Sequence, residues 1–294
     1  MKKLIFLFPI LFCFSACLRL NSNLFNGDNT ITAYKLDAFK NEIVPLDSSY
    51  FIPDSLIHLF TIESDDNGDK AKIYAVYIGD TNKIATDTVI LYSHGNAAYM
   101  DIYWTRAKLL AHVGGKNRYG VLMYDYRGYG LSEKHSTENS MYADADACCK
   151  WLKVKGLTDA RFVMYGFSLG TAPTCELTAH KRTLSPQRFI LEAPFASTEE
   201  MVQDAGLLNM PASFFTDNKI DNAGKIRDIE QPFMWIHGTS DSFLSLATHG
   251  QVVYDNYKGA YKEAHKIEGA EHSTIPPVWG YKNYLAEMEA FMVH

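Results

Sequence analysis

The 294-residue chain has no surplus of basic residues, since 34 Asp and Glu outnumber 28 Lys and Arg and give a formal net charge of −6. A nucleic-acid-binding protein needs basic surface to replace phosphate counterions, so the charge argues against a nucleic-acid partner. The chain also lacks internal repeats, low-complexity tracts and a Pro-, Gly- or Ser-rich linker in its middle. Its length and 47% hydrophobic content predict one large α/β domain.

Cysteines are few and poorly placed for disulfide bonds. If Cys17 is modified, the mature chain retains Cys148, Cys149 and Cys175. An odd number with two adjacent members is a poor disulfide framework. The adjacent pair lies in a helix-like stretch, which predicts buried free thiols. The chain has no CxxC pair and no histidine cluster at ligand spacing, so the sequence predicts neither a metal nor an organic cofactor.

The N-terminus has no apolar run long enough to span a membrane. Two lysines precede an apolar stretch over residues 4–16, which is shorter than the about 20 residues of a membrane helix and typical of a signal peptide. The stretch ends in FSAC at residues 14–17, which resembles the lipobox of bacterial lipoproteins, whose cysteine is lipidated and becomes the mature N-terminus. This resemblance implies an extracytoplasmic protein anchored to a bacterial membrane through Cys17. An ordinary cleaved signal peptide is the alternative.

The pattern of the remaining chain predicts a tether and N-terminal extension over residues 18–49 and one folded domain over residues 50–294. Two strand-like segments flank the turn sequence DDNGD at residues 65–69 and predict an antiparallel hairpin. Further strand-like runs then alternate with helix-length segments, which predicts a mostly parallel sheet with helices on both faces. The runs lie near 87–92, 120–124, 161–165, 188–191, 232–237 and 263–267, and the helices near 100–112, 138–154, 169–180, 245–256 and 278–292.

The run GFSLG at residues 166–170 is the one GxSxG in the chain. It follows a strand-like run and precedes a helix-like stretch, which is the strand–turn–helix context of a nucleophile elbow. So tight a turn requires very small residues two positions before and after the nucleophile, and it exposes that residue above the sheet at a helix N-terminus. Ser168 is therefore the candidate nucleophile.

Three further motifs lie around this elbow in a defined order. HGNA at 94–97 and DYRGYGLS at 125–132 precede the elbow, and EAPF at 192–195 follows it. With the elbow, they resemble the α/β-hydrolase superfamily over about residues 50–293, in particular its small-lid branch related to serine aminopeptidases and monoacylglycerol-lipase-like proteins. The resemblance implies the α/β-hydrolase fold and hydrolysis through an acyl-enzyme without a cofactor.

A serine nucleophile needs a base and an acid that orients the base. In the α/β-hydrolase fold, the chain order is Ser, then Asp or Glu, then His. The runs HGTSD and GAEH follow the last two predicted strands, so the resemblance implies Asp241 as the acid and His272 as the base. Glu192, at another strand end, remains the alternative acid. His237 lies inside the HG turn and is expected to be structural.

The oxyanion hole is expected to use two backbone N–H groups. One belongs to Leu169, the residue after the nucleophile, and the other to Asn96, which follows the HG pair. The Asn96 side-chain amide is a further possible donor. Asp125 and Arg127 are expected to build their loop rather than to take part in the reaction.

The predicted cap over residues 196–230 is short, about 35 residues, and is expected to form a small flap rather than a lid domain. Its apolar residues either line an acyl pocket or pack the flap onto the body; they are Met201, Leu207, Leu208, Met210, Phe214 and Phe215. The expected substrate is a small-molecule ester or acyl compound with a short to medium chain. Peptide, amide and thioester substrates, and a non-catalytic binding lipoprotein, are the alternatives.

Overall fold

The structure, a computed structural model, describes residues 24–40, 44–115, 118–204 and 216–294. The predicted leader and its lipidation site, Cys17, lie outside these ranges. The same is true of five of the six apolar cap residues singled out above, namely Leu207, Leu208, Met210, Phe214 and Phe215.

In the described part of the chain, eight strands form one sheet in the order β1-β2-β4-β3-β5-β6-β7-β8. The strand bounds are β1 Ile57–Asp66, β2 Asp69–Ile78, β3 Val89–Ser93, β4 Gly120–Tyr124, β5 Phe162–Phe167, β6 Arg188–Glu192, β7 Phe233–Gly238 and β8 Lys262–Ile267. Strand β2 pairs antiparallel with β1 and β4, and every other pairing is parallel. The predicted mostly parallel sheet is confirmed.

Helices cover both faces of the sheet. Their bounds are α1 Met100–Ala111, α2 Glu138–Val154, α3 Thr171–Ala179, α4 Thr198–Asp204, α5 Asn222–Lys225, α6 Gln251–Asn256, α7 Ile275–Trp279 and α8 Tyr281–Val293. Apolar residues of α2 and α3 pack into the core on one face, and those of α1 and α8 into the core on the other. The single helix predicted near 278–292 is wrong in one respect, because Gly280 adopts a φ of 84° and separates α7 from α8.

The predicted hairpin is confirmed, and its turn explains its register. Asn67 and Gly68 adopt φ values of 53° and 94°, as a two-residue turn of the type that matches strand twist requires. Asp66 therefore pairs with Asp69, and the ladder continues without interruption to Ile57 and Ile78. The hairpin adds two antiparallel strands to one edge of the parallel sheet.

Residues 24–40, which were expected to belong to the tether and N-terminal extension, lie against the folded body. The hydroxyl of Tyr34 donates to the carboxylate of Asp125 at 2.7 Å. The backbone N–H groups of Lys35 and Leu36 both donate to the buried carboxylate of Asp101 at 2.8 Å. The folded body therefore begins before residue 50.

The prediction of buried free thiols is confirmed. Cys148, Cys149 and Cys175 are all free and buried. Burial raises the pKa of the Cys175 thiol to about 12 and keeps it protonated, which makes it a poor nucleophile.

No helix within the described ranges is both long and apolar enough to cross a bilayer. Those ranges also contain no group of three or more His, Cys, Asp or Glu side chains placed to bind a metal ion.

Candidate active site

The turn from β5 into α3 presents Ser168 in a strained conformation. Ser168 has a φ of 52°, in the left-handed region that residues other than glycine rarely adopt. A Cβ atom on Gly166 would overlap the carbonyl of Gly170, and one on Gly170 would overlap the carbonyl of Ser93. Both glycines are therefore required by close backbone approach. The expected exposure of Ser168 is wrong in degree, since the residue is only 6% exposed.

The structure brings Ser168, His272 and Asp241 together in one hydrogen-bonded chain. His272 Nε2 lies 2.9 Å from Ser168 Oγ, and His272 Nδ1 lies 2.8 Å from Asp241 Oδ2. Because Nδ1 donates to the carboxylate, Nε2 is the nitrogen that can accept the serine proton. The Asp241 side chain is fully buried, whereas that of His272 is 17% exposed. Sequence reasoning selected these three residues, and their geometry suits proton transfer.

The Asp241 carboxylate is held by several donors besides His272. The backbone N–H groups of Phe243 and Leu244 donate to Oδ1 at 3.0 and 2.8 Å, and His237 Nε2 lies 3.3 Å from Oδ2. Burial by itself would raise the pKa of this carboxyl, but hydrogen bonds from His237 and His272 outweigh burial and hold the pKa well below its usual range. The lowered pKa favours the anionic form of Asp241, which accepts the hydrogen bond of His272 Nδ1.

His237 acts as a fixed donor beneath that acid. The indole N–H of Trp235 donates to His237 Nδ1 at 3.2 Å, so the ring proton resides on Nε2. Nε2 faces the carbonyl of Leu244 at 2.9 Å as well as the Asp241 carboxylate. His237 therefore has a structural role, as expected, because it supports the loop that carries Asp241, here called the acid loop.

Glu192, the alternative acid, is engaged elsewhere. Its carboxylate forms a buried ion pair with Arg106 and accepts a hydrogen bond from the hydroxyl of Tyr165. Burial raises the pKa of Glu192, and the charge of Arg106 opposes that rise. Arg106 also donates to the carbonyl of Ser273 at 3.4 Å. Glu192 therefore anchors an arginine beneath the loop that carries His272, and the carboxylate that accepts the hydrogen bond of His272 Nδ1 belongs to Asp241.

The two predicted oxyanion donors belong to two neighbouring segments, the nucleophile turn and the loop of residues 94–98. Leu169 directly follows Ser168 in a 3-10 turn, at the start of the helical segment. In the 94–98 loop, the N–H of Ala97 donates to the hydroxyl of Tyr103 at 3.0 Å and is thereby occupied. The Asn96 side chain accepts a hydrogen bond at Oδ1 from the Tyr129 hydroxyl at 2.5 Å. The side chain therefore positions the loop, and the backbone N–H of Asn96 remains the candidate oxyanion donor.

Asp125 supports the same loop from below. Its Oδ1 lies 2.9 Å from His94 Nε2 and accepts the N–H of Met100 at 2.8 Å. Arg127 binds Asp144 through both its backbone N–H and its side chain, at 2.9 and 3.0 Å. These contacts agree with the expectation that Asp125 and Arg127 build their loop.

A cavity of about 380 Å³ opens beside the acid loop. Its apolar walls include Met201, Phe243 and Leu244, and its polar walls include Asp204 and His249. Phe243 is 64% exposed, and its ring centroid lies 5.1 Å from that of His272. This volume lies within the range of ligand pockets, about 300–1,000 Å³.

Sequence reasoning missed Arg106 and the contact of Asn26 with Asn96. Arg106 left one signal, because it is a charged residue within the mostly apolar helix α1, which packs on the sheet. Asn26 left none, because its contact with Asn96 spans 70 residues and uses the Asn26 backbone N–H.

Comparisons with known proteins agree with this architecture. Residues 88–212 match the family described as alpha/beta hydrolase fold. Alpha/beta hydrolase domain-containing protein 17C of Mus musculus is 28% identical over 206 residues, which is 70% of this chain and 59% of that protein. The human protein 17B is also 28% identical, over 69% of this chain and 65% of its own length. The matched part of the chain thus spans about three fifths of the curated relatives.

Solved structures resemble the chain more in fold than in sequence. An esterase of Pyrococcus furiosus superposes with a TM-score of 0.68 at 17% identity and covers 92% of this chain and 97% of its own. The protein Est1E of Butyrivibrio proteoclasticus, solved with bound ferulic acid, gives a TM-score of 0.60 at 17% identity, over 79% of this chain and 98% of its own. With the strand order, these matches define the class: the chain has the α/β-hydrolase fold.

Proposed function

We propose that this protein is a serine hydrolase that cleaves small carboxylic esters through an acyl-enzyme. The observation that carries the proposal is the continuous hydrogen-bonded chain from Ser168 Oγ through His272 to the buried Asp241 carboxylate. A nucleophile, a base and an orienting acid at hydrogen-bond distance are the signature of this chemistry. The solved Pyrococcus furiosus structure, which has the same fold, is named as an esterase.

In this mechanism, Ser168 Oγ attacks the ester carbonyl while His272 Nε2 takes its proton. The oxyanion of the tetrahedral intermediate accepts hydrogen bonds from the N–H groups of Asn96 and Leu169. The intermediate collapses to the acyl-enzyme when His272 returns the proton to the departing alcohol. Water then attacks the acyl carbonyl by the same route, releases the acid and restores Ser168. Asp241 stabilises the imidazolium that forms in each half of the cycle.

The experiment that tests the function is a panel of p-nitrophenyl esters with acyl chains of about 2 to 16 carbons, assayed with the wild-type protein and with Ser168→Ala. Hydrolysis by the wild type alone supports the proposal. If the protein hydrolysed amides or thioesters instead of esters, the triad assignment would stand and the proposed substrate class would change. A wild type that binds esters without turning them over would favour the non-catalytic binding protein.

Short to medium acyl chains should be turned over faster than long ones. The cavity beside Phe243 and Leu244 has a volume of about 380 Å³, and each methylene that it buries adds at most about 0.8 kcal/mol until the cavity is full. The ratio kcat/KM should therefore rise with the first methylenes and then level off or fall. A steady rise to the longest chain would contradict a bounded acyl site.

Assayed from about pH 5 to pH 9, kcat/KM should be lower at the acidic end, because His272 accepts the serine proton only when it is neutral. Asp241 should add no step of its own, since its lowered pKa keeps it ionised throughout this range. A carboxyl whose pKa is lower in the folded state than in the unfolded state stabilises the fold at neutral pH, and this stabilisation is lost only as the pH falls through the folded-state pKa. The triad should therefore stay assembled across the assayed range. A flat profile of kcat/KM would contradict His272 as the base.

We further propose that Cys17 carries a lipid anchor, on the strength of the FSAC sequence that ends the leader. Cys17→Ser in the full chain should release the protein from the membrane fraction or block its processing, because it removes the thiol to which the lipid would be attached. Several acyl chains hold a protein far more firmly than one, so their loss should be easy to detect. The catalytic rate of the released protein should not change. If the native N-terminal peptide had an unmodified mass, residues 1–17 would instead be an ordinary signal peptide without a lipid.

A further inference from the structure

The segment of residues 26–34, here called the N-terminal strap, is bound directly to the oxyanion loop of residues 94–98. The backbone N–H of Asn26 donates to Asn96 Oδ1 at 2.7 Å. Two residues later, the N–H of Asp28 donates to the carbonyl of Ala98 at 3.0 Å. The strap thus contacts the loop on both sides of Ala97, within two residues of the proposed oxyanion donor.

The strap is also bound to the loop that follows β4. The carbonyl of Asp28 accepts the N–H of Gly130 at 2.8 Å, and the hydroxyl of Tyr34 accepts the N–H of Leu131 at 3.0 Å. The same hydroxyl donates to Asp125, whose other oxygen lies 2.9 Å from His94 Nε2. Through Tyr34 and Asp125, the strap is therefore also connected to His94, the first residue of the oxyanion loop.

The loop requires such restraint because its backbone is strained. Ala98 has a φ of 47°, a left-handed conformation that is unfavourable for an L-residue. Such strain persists only where neighbouring contacts determine the conformation. At Ala98, the strap supplies a hydrogen bond and a parallel bridge from Gly27.

We propose that the N-terminal strap is part of the catalytic scaffold, and that its residues position the Asn96 N–H for the transition state. The inference rests on the proposed hydrolase function. It assigns Asn26, Gly27, Asp28 and Tyr34 as positioning residues, which act through the 94–98 loop and do not touch the substrate. An oxyanion donor acts only when charge develops on the carbonyl oxygen, so its misplacement should lower kcat more than it raises KM.

Gly27→Ala in the full chain tests the proposal. A Cβ atom at this position would lie 2.7 Å from the carbonyl oxygen of Gly128 and 2.7 Å from the Tyr129 ring. Either the strap or Tyr129, whose hydroxyl donates to Asn96 Oδ1, must therefore shift. We expect kcat to fall about 10- to 100-fold with little change in KM, as for a misplaced catalytic group. The inhibition constant of a trifluoromethyl ketone, whose adduct carries the oxyanion, should rise by the same factor.

Gly156→Ala is the matched control. This glycine lies in the connection that precedes β5, and its added Cβ atom would meet the Cβ of Ala85 at 2.8 Å. Because Gly156 also has a φ of 93°, alanine there adds backbone strain to the close contact, so the control disturbs the backbone away from the oxyanion loop. Rates are expressed per active site titrated to completion with a fluorophosphonate, which removes any loss due to unfolded protein. The control should match the wild type in kcat and in the inhibition constant.

Tyr34→Phe gives a second test if Gly27→Ala fails to fold. It removes one hydroxyl from the strap and retains the ring, and it should lower kcat per titrated site with KM unchanged. A double-mutant comparison on an Asn96→Ala background should make the effect of Gly27→Ala smaller, because the strap then lacks one of its contacts on the loop.

Three results would overturn the inference while the proposed function stands: unchanged kcat per titrated site in both strap variants, an equal loss in Gly156→Ala, or full additivity with Asn96→Ala. A wild-type protein without esterase activity and without fluorophosphonate labelling would instead contradict the proposed function itself.

Discussion

Ser168→Ala should lower kcat for ester hydrolysis by a factor on the order of 10⁶, the loss seen when the nucleophile is removed from a triad. It should also abolish covalent labelling by a fluorophosphonate. The physical reason is that neither His272 nor the oxyanion donors can form the acyl-enzyme bond. The measurement is single-turnover kinetics together with the mass of the labelled protein.

The fold should survive this substitution. Ser168 is small, and alanine tolerates the positive φ about as well as serine does. We expect the free energy of unfolding to change by no more than about 1 kcal/mol. Labelling that persists in Ser168→Ala would place the nucleophile at another residue.

Asp241→Asn should lower kcat by a factor on the order of 10⁴, with the fold retained. An asparagine amide can present its NH₂ group to His272 Nδ1, which favours the tautomer that carries the proton on Nε2. In that tautomer, His272 can no longer accept the proton of Ser168. The measurement is kcat at the pH of maximal wild-type activity.

Glu192→Gln is the matched carboxylate-to-amide control. It should lower stability more, and kcat less, than Asp241→Asn does. It leaves the buried guanidinium of Arg106 without its anion, and breaking such a pair costs about 3–5 kcal/mol of stability. The kcat of the folded fraction should fall far less than in Asp241→Asn. The reverse ranking of the two variants in kcat would make Glu192 the acid.

The sequence was informative where chemistry is confined to neighbouring residues. The GxSxG elbow depends on a turn of five residues, and the overlaps that Cβ atoms would cause at Gly166 and Gly170 show why that pattern is so restrictive. The hairpin turn at Asn67 and Gly68 is local in the same way. The central strands β3, β4 and β5 were predictable because strands covered on both faces are apolar throughout.

The pairing of acid and base was predictable only through chain order. The order of Ser168, Asp241 and His272 suggested a triad, yet Glu192 also lies at a strand end. The choice between the two acids depends on where the side chains meet. Arg106, on helix α1, occupies Glu192, and no spacing rule connects those two positions 86 residues apart.

The sequence by itself determined the order of strands and helices, the nucleophile turn and the set of candidate residues, because each depends on short-range sterics and on the periodicity of burial. Tertiary structure alone decided which carboxylate meets His272, how deeply Ser168 is covered and how the N-terminal strap binds the oxyanion loop. These contacts join residues far apart in the chain, and some use backbone groups that every residue carries. Composition and spacing leave no trace of such contacts.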